Sequence, residues 1–362
     1  MSETQGSTIT IGRSYHLEAP ETSGPAARST DTNVGGMVLR EREVPVPGPT
    51  GVVVRVRAVS INRRDELILS GRYPLAPAPG VVPMSDGAGE VVAVGEKVTR
   101  FGLGDRVMGG YWPQWLDGRL RDGLFDQLGC TVDGMLAEYV VLDEQAAVGV
   151  PDHLSWEEAA TLPCAALTAW NSVTGGEPVL PGQTVLTLGS GVVSLFAIQF
   201  GKMLGCRVIA TTSSDEKVGR LKAVGADDVV NYAKVPAWSE AVRELTGGRG
   251  ADVVVETCGP ETINQSVRAT AFHGQIVLLR ATKPGGNGTG LTISDGAYAS
   301  SMATIRRVFV GSRADFEAMN RAVSAHRLHP VIDRTFDFTA AHEAFHHYLT
   351  GKTFGKVVIT IP

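Results

Sequence analysis

The alternation of apolar and polar positions divides the chain into two halves of different period. Val52 to Val59 reads Val-Val-Val-Arg-Val-Arg-Ala-Val, with its arginines on one face, as in a strand half-buried in a sheet. Glu90–Val94 and Arg106–Met108 are further short strands divided by glycines, with no helix of length among them. This half predicts an antiparallel, barrel-like β domain. The period changes at Ser155-Trp156-Glu157-Glu158, a capping box that opens a helix running toward Leu162 before Pro163. Strands and helices then alternate: strand Thr184–Leu188, helix Val193–Leu204, strand Arg207–Thr211, helix Asp215–Val224 and strand Asp228–Val230. A helix near Trp238–Leu245, strand Asp252–Glu256, helix Ile263–Ala269 and strand Gln275–Leu279 continue the series. Such a series predicts a parallel sheet with helices on both faces. Late helices over Phe316–His326 and Ala340–Leu349 precede a closing strand, Lys356–Ile361.

The remaining stretches are less regular. Residues 1–14 read as a loose polar leader, and residues 18–36 as a loop or flexible insertion. Tyr111, Trp112, Trp115 and Phe125 lie among Gly, Asp and Arg. They are either anchors of a surface loop or the wall of a substrate pocket.

Composition narrows the classes. A length of 362 residues exceeds one ordinary core and suits two domains. The net charge of -5 favours neither nucleic acid nor an anionic membrane. The four cysteines, Cys130, Cys164, Cys206 and Cys258, form no CxxC pair, which argues against a disulfide framework and a structural zinc lobe. No apolar run suits a signal peptide or a membrane span, so a cytoplasmic protein acting on a small molecule is expected.

The strand Thr184–Leu188 leads into Gly189-Ser190-Gly191-Val192-Val193-Ser194 and then an apolar helix. A glycine turn lets backbone approach a pyrophosphate, and the helix N-terminus supplies amide donors. Ser194 replaces the third glycine of the usual pattern. An NAD site usually carries an acid about 20 residues further on, at the ribose 2′-hydroxyl. Here the next strand ends in Thr211-Thr212-Ser213-Ser214, with Lys217 beyond, a set suited to a 2′-phosphate. Asp215 and Glu216 read instead as the first turn of the following helix. NADP(H) is the expected cofactor.

From about Val44 onward the chain resembles the medium-chain dehydrogenase/reductase superfamily, in its zinc-free, quinone-oxidoreductase-like branch. The stretches that carry the resemblance include Val59-Ser60-Ile61-Asn62-Arg63-Arg64-Asp65, Ser70-Gly71-Arg72-Tyr73-Pro74 and Asp86-Gly87-Ala88-Gly89-Glu90-Val91-Val92-Ala93-Val94-Gly95. Gly104-Asp105-Arg106-Val107, the run from Ala159 to Trp170 and Phe354-Gly355-Lys356-Val357-Val358 complete them. The resemblance implies an α/β protein. A GroES-like β-barrel catalytic domain would occupy residues 1–150 and 315–362, and a Rossmann domain residues 151–314. It also implies a cleft between them and a homodimer. The family's catalytic zinc ligands fall here on Asn62, Ser85 and Cys164, with Asp86 after Ser85. An amide, a hydroxyl and one thiol will not hold zinc, so no metal is expected and Cys164 reads as a packed core residue. His342-Glu343-Ala344-Phe345-His346 matches a zinc-protease motif. In the family that stretch is an ordinary packing helix, so its histidines are expected on a solvated face.

Without a metal the acceptor must already be activated, as in a quinone or an α,β-unsaturated carbonyl. Asn62 is the first candidate donor to the substrate oxygen, or else a turn-stabilising amide. Tyr73 is a possible proton donor or a packed ring. Ser85 and Asp86 would order a water or the Asn62 loop. Arg64 would anchor an anion or pair with Asp65. Gly189, Ser190, Gly191, Val192 and Val193 are expected at the pyrophosphate, and Thr212, Ser213, Lys217 and Tyr232 at the 2′-phosphate. The resemblance adds Thr257, Cys258, Val310, Gly311, Ser312, Thr168 and Lys356 to the cofactor set. Arg280 stands where the family has a small residue and is expected at the nicotinamide end or against an acidic substrate. Two alternatives remain open: a zinc-free alcohol/ketone dehydrogenase of the same fold, and a NADP(H)-binding protein that is not a redox enzyme, such as an isomerase, cyclase or sensor.

Overall fold

The computed structural model describes residues 11–18, 36–280 and 291–362. The expectations for residues 1–10 and 19–35 lie outside these. Strand β1 (Ile11–Leu17) pairs antiparallel with β2 (Met37–Glu43). Residues 11–14 are therefore strand, and not part of a loose leader. Tyr15 and Leu17 are buried, and the Tyr15 N–H donates to Leu136 O.

Strand β3 (Gly51–Ser60) is the spine of the first sheet. Val52, Val54 and Val56 are buried while Arg55 and Arg57 lie half-buried on the other face, as the alternation predicts. A short helix, α1 (Arg63–Leu69), follows directly. Seven residues are too few for a periodic signal, so the pattern of the sequence does not announce it. Strands β4 (Asp86–Val94), β5 (Arg106–Gly109), β6 (Tyr139–Asp143) and β7 (Ala147–Gly149) complete this part.

Helix α2 (Trp156–Ala159) has the expected capping box: Glu158 N–H donates to Ser155 Oγ at 3.2 Å, and Ser155 N–H to Glu158 Oε2 at 2.9 Å. The helix stops short of Leu162. Pro163 lacks an N–H, and a π-helical turn over Leu162–Ala166 carries the chain into α3 (Leu167–Thr174).

Next come β8 (Thr184–Thr187), α4 (Val192–Met203), β9 (Arg207–Thr212), α5 (Glu216–Val224) and β10 (Asp228–Asn231). They are followed by α6 (Trp238–Leu245), β11 (Ala251–Glu256), α7 (Ile263–Ala269), β12 (Thr270–Leu278), α8 (Asp295–Ser301) and β13 (Thr304–Arg307). All six strands are parallel, in the order β10-β9-β8-β11-β12-β13. This is the doubly wound order, with its switch point between β8 and β11, where loops at the carboxyl ends of the strands form ligand sites. Leu186, Ile209, Val254 and Ile276 fill its core.

Helix α9 (Arg313–His326), β14 (Ile332–Asp337), α10 (Ala341–Leu349) and β15 (Lys356–Thr360) end the chain. β15 runs antiparallel to β3, with Val358 opposite Ser60, and extends the first sheet to the order β14-β15-β3-β4-β5-β7, with β6 also on β3.

The described chain forms two compact units. Residues up to Pro163, Ser312–Arg321 and Ile332–Pro362 make one; Cys164–Gly311 and Ala322–Val331 make the other. These limits differ from a division at 150 and 314. The α2 segment stays with the first sheet, where Ser60 Oγ donates to Ala160 O at 2.7 Å. The stretch 322–331 joins the second unit, where Gln199 Nε2 donates to His329 O at 2.8 Å.

The histidines of α10 do not share one solvated face. His346 is exposed, but His342 lies edge-on to Tyr15 and His347 Nε2 is 2.7 Å from Asp333 Oδ2.

Candidate functional site

In the first unit the return of β15 beside β3 brings Lys356 to the start of α1. Its side chain has 0% exposure. Nζ donates to Ile61 O at 3.0 Å, Asn62 Oδ1 at 2.7 Å and Asp86 Oδ2 at 3.3 Å. Asp86 also accepts from Ser85 Oγ at 2.8 Å. Ser85 and Asp86 thus order the Asn62 loop by way of Lys356. Lys356, expected among the cofactor contacts, is instead enclosed by protein oxygens. Asn62 is 7% exposed, and its Nδ2 is buried without a hydrogen-bond partner. An unmade hydrogen bond on a buried donor costs about 1–3 kcal/mol, which a ligand atom against Nδ2 would relieve.

The backbone that delivers Ser85 is strained. Met84 has φ 69, a left-handed conformation unusual for a side chain of its size. Gly129 and Gly134 back onto it, and a Cβ on Gly129 would lie 2.6 Å from Met84 N. Outliers of this kind cluster at functional sites.

Arg64 makes the pairing with Asp65 that the sequence allowed. It pairs with Asp65 at 3.2 Å, donates to Leu128 O at 2.8 Å and stacks over the rings of Tyr73 and Tyr111. Burial pushes the Asp65 carboxyl up to about 6, against the opposing effects of Arg64 and of the Asn62 N–H it accepts. Tyr73 Oη donates to Gln127 Oε1 at 2.7 Å and lies 3.0 Å from Tyr111 Oη. Gln127, absent from the sequence-based candidates, is the hub of this group, and nothing local in the sequence marks it. Tyr111, Trp112 and Trp115 are all buried, and Trp115 Nε1 donates to Gly118 O at 3.0 Å. Phe125, the fourth aromatic of the run, is exposed and packs edge-on to Trp112.

In the second unit Gly189 takes φ 73, and a Cβ on Gly189 or Gly191 would meet nothing within 4 Å. The backbone there is open to a ligand. Ser190, Val192 and Val193 are half-buried around the N-terminus of α4, whose first N–H groups have no partner within the helix. Ser194 fits in place of the third glycine because its Oγ donates to Leu188 O at 2.7 Å.

At the next strand end Thr212 is buried and accepts the Ser214 N–H, Ser213 is exposed, Lys217 is half-buried and Tyr232 is exposed. The Tyr232 N–H donates to Thr212 O at 2.9 Å, which holds these residues together. Asp215 faces Lys234 Nζ at 2.5 Å and Asn231 Nδ2 at 2.7 Å, and these partners hold its carboxyl below the usual range. Its charge is already paired.

Behind the turn Thr257-Cys258-Gly259 lies a buried carboxylate, Glu256, that no sequence motif singles out. Glu256 Oε1 accepts from the N–H groups of Cys258 and Gly259, at 2.8 and 2.9 Å, and Oε2 from Ser266 Oγ at 2.5 Å. Thr257 Oγ1 donates to Leu188 O at 2.8 Å, tying this turn to the glycine turn. Burial pushes the Cys258 thiol up, away from a reactive thiolate. Arg280 adjoins the same turn: a Cβ on Gly259 would lie 2.5 Å from Arg280 O.

Val310 has φ 64, an outlier for a β-branched residue, and its carbonyl accepts from Asn171 Nδ2 at 3.1 Å. Two expected cofactor residues have local structural roles. Ser312 caps α9 through Asp315, and Thr168 Oγ1 donates to Cys164 O at 2.6 Å. Cys164 itself is half-buried and not part of the packed core. Among the described residues no group of three or more His, Cys, Asp or Glu is arranged to hold a metal ion, and no helix is long and apolar enough to cross a membrane.

Comparison with known proteins agrees with this architecture. Residues 48–152 match the alcohol dehydrogenase GroES-like domain, and residues 192–325 the zinc-binding dehydrogenase domain. A zinc-type alcohol dehydrogenase-like protein of Schizosaccharomyces pombe is 40% identical over 329 residues, covering 89% of this chain and 95% of its own. A quinone oxidoreductase of Pseudomonas aeruginosa is 33% identical over 277 residues, covering 76% and 78%. Among solved structures, an NAD-dependent alcohol dehydrogenase superposes with a TM-score of 0.83 at 34% identity, covering 97% of this chain and 100% of that one. A quinone oxidoreductase of Pseudomonas syringae does so with a TM-score of 0.74 at 27% identity, covering 96% and 99%. The chain belongs to the medium-chain dehydrogenase/reductase superfamily, with a GroES-like domain and a Rossmann domain. It is an oxidoreductase that works with a nicotinamide cofactor on a small molecule.

Proposed function

We propose that the protein is a zinc-independent, NADPH-dependent reductase of α,β-unsaturated carbonyls or quinones. The observation that carries the reading is the buried Lys356 ammonium. It bonds to Asn62 Oδ1 and Asp86 Oδ2, beside two positions that match the metal site of zinc-dependent relatives. A fixed cation takes the lone pairs a dication would need, and Ser85 Oγ is already turned to Asp86. This donor set does not fit zinc.

NADPH fits the second unit. Gly189, Ser190, Gly191, Val192 and Val193 would hold its pyrophosphate, and Thr212, Ser213, Lys217 and Tyr232 its 2′-phosphate. Asp215, at the start of α5, is engaged at the surface with Lys234 and Asn231, which supports a 2′-phosphate over a free ribose hydroxyl there. Bound NADPH supplies the hydride. Addition at a conjugated carbon gathers negative charge on the substrate oxygen, which then needs a donor. Asn62 Nδ2 is that donor. A cytoplasmic homodimer completes the proposal, in keeping with what the branch commonly forms.

The test is stopped-flow oxidation of NADPH and NADH against a panel of enones, quinones and simple ketones. The reading expects oxidation of NADPH, in preference to NADH, by the conjugated acceptors. Turnover confined to simple ketones and alcohols would favour an alcohol dehydrogenase, and tight NADPH binding without oxidation by any acceptor a non-redox role.

A further inference from the structure

An ammonium group has three N–H donors and no acceptor. Lys356 places all three on protein oxygens, of Ile61, Asn62 and Asp86. Two consequences follow. Lys356 has no proton left for a ligand, and together with the Asp65 N–H, which the Asn62 side chain accepts in the capping box of α1, it sets which way the Asn62 amide is turned. Only Oδ1 can accept from Nζ, so the amide NH₂ is left on the other side, where Nδ2 is buried and unpartnered. With a neutral or absent residue 356, only the Asp65 N–H of the capping box would favour the present orientation. Asp86 keeps Lys356 from turning away, and Ser85 Oγ holds the other oxygen of Asp86 at 2.8 Å. The chain of contacts thus runs from Ser85 through Asp86 and Lys356 to Asn62. It links residues from three stretches of the sequence to one buried, unpartnered donor.

We propose that Lys356 is a positioning residue, which fixes the Asn62 amide with its N–H groups presented to the substrate's carbonyl oxygen. The ammonium at Oδ1 also draws electron density from the amide and strengthens Nδ2–H as a donor. The role assigned to the substrate oxygen rests on the proposed function; the orientation of Asn62 does not.

The experiment reads geometry and rate separately. Crystal structures of wild type and Lys356→Met are compared at Asn62, with folding checked by thermal melting. The amide is expected to rotate or lose a single orientation in the variant; an unchanged amide overturns the proposal. Steady-state reduction of an enone with saturating NADPH is then measured for wild type, Lys356→Met, Asn62→Ala and the double variant. Lys356→Met is expected to lower kcat by roughly 10- to 100-fold, with KM within about threefold. In the Asn62→Ala background the same change should alter kcat by less than about twofold, because the residue acts through Asn62. Losses that simply multiply would overturn it. Lys356→Arg, which keeps a cation at Oδ1, should recover part of the rate. Should Lys356→Met not fold, Lys356→Gln, uncharged but closer in shape, is used in both arms. A wild type that reduces no acceptor of the panel would sink the functional reading, while the crystallographic arm still decides the role of Lys356.

Discussion

Lys356 Nζ and Asn62 Oδ1 lie 2.7 Å apart although 294 positions separate the two residues in sequence. The antiparallel pairing of β15 with β3 closes that distance. The contact leaves the other end of the amide as an unpaired, buried donor.

Removal of that donor should affect turnover more than binding. Asn62→Ala is expected to lower kcat by about 10²–10³-fold, the usual effect of deleting one donor to a developing oxyanion. The dissociation constant for NADPH, measured by calorimetry, should change by less than about twofold. A purely structural Asn62 would instead lower the melting temperature and leave the turnover of the folded fraction intact.

The Asp65 carboxyl, pushed up to about 6 from the ordinary 3.8 chiefly by burial, makes stability depend on pH. Between those values the native state holds a proton that the unfolded chain has released. Stability from this group is therefore full below about pH 4, falls as pH rises to about 6 and is level above. Within that window each pH step of one costs on the order of 1.4 kcal/mol at most. Urea unfolding of wild type and Asp65→Asn at pH 4, 5, 6 and 7 should show wild type losing ground to the variant across that window. A constant difference would show that Asp65 titrates normally.

Cofactor choice should respond to Lys217. Lys217→Ala is expected to weaken NADPH binding on the order of 10-fold, the loss of one charge-assisted contact, and to leave NADH nearly unchanged. Equal losses for both would place Lys217 away from the 2′-phosphate.

Gly129 is confined both by conformation and by space. It has φ 70, and its missing Cβ would lie 2.6 Å from Met84 backbone. Gly129→Ala should destabilise the fold by about 3 kcal/mol or more, through strain and overpacking together. A melting temperature within a few degrees of wild type would show that the loop relaxes freely.

What the sequence reveals and what it hides divide along the range of each interaction. The alternating β3, the capping box of α2 and the strand–glycine–helix unit at Gly189 are local signals, and each is legible. The short α1, and β1 with its mixed polar face, lack enough residues to show a period. Asn62, Ser85 and Asp86 are marked by their place in a family pattern, but their link to Lys356 depends on a strand returning from the far end of the chain. Gln127 and Glu256 are hubs whose partners come together only in the fold. The aromatic run from Tyr111 carries two readings in the sequence, and the fold buries Tyr111, Trp112 and Trp115 while leaving Phe125 exposed.

The most direct test of a metal-free reductase is the rate of enone-dependent NADPH oxidation after exhaustive dialysis against a chelator, with metal content read by mass spectrometry on the same sample. A metal-free mechanism predicts an undiminished rate with far less than one metal ion per chain. A rate that disappears on dialysis and returns on addition of zinc would contradict it.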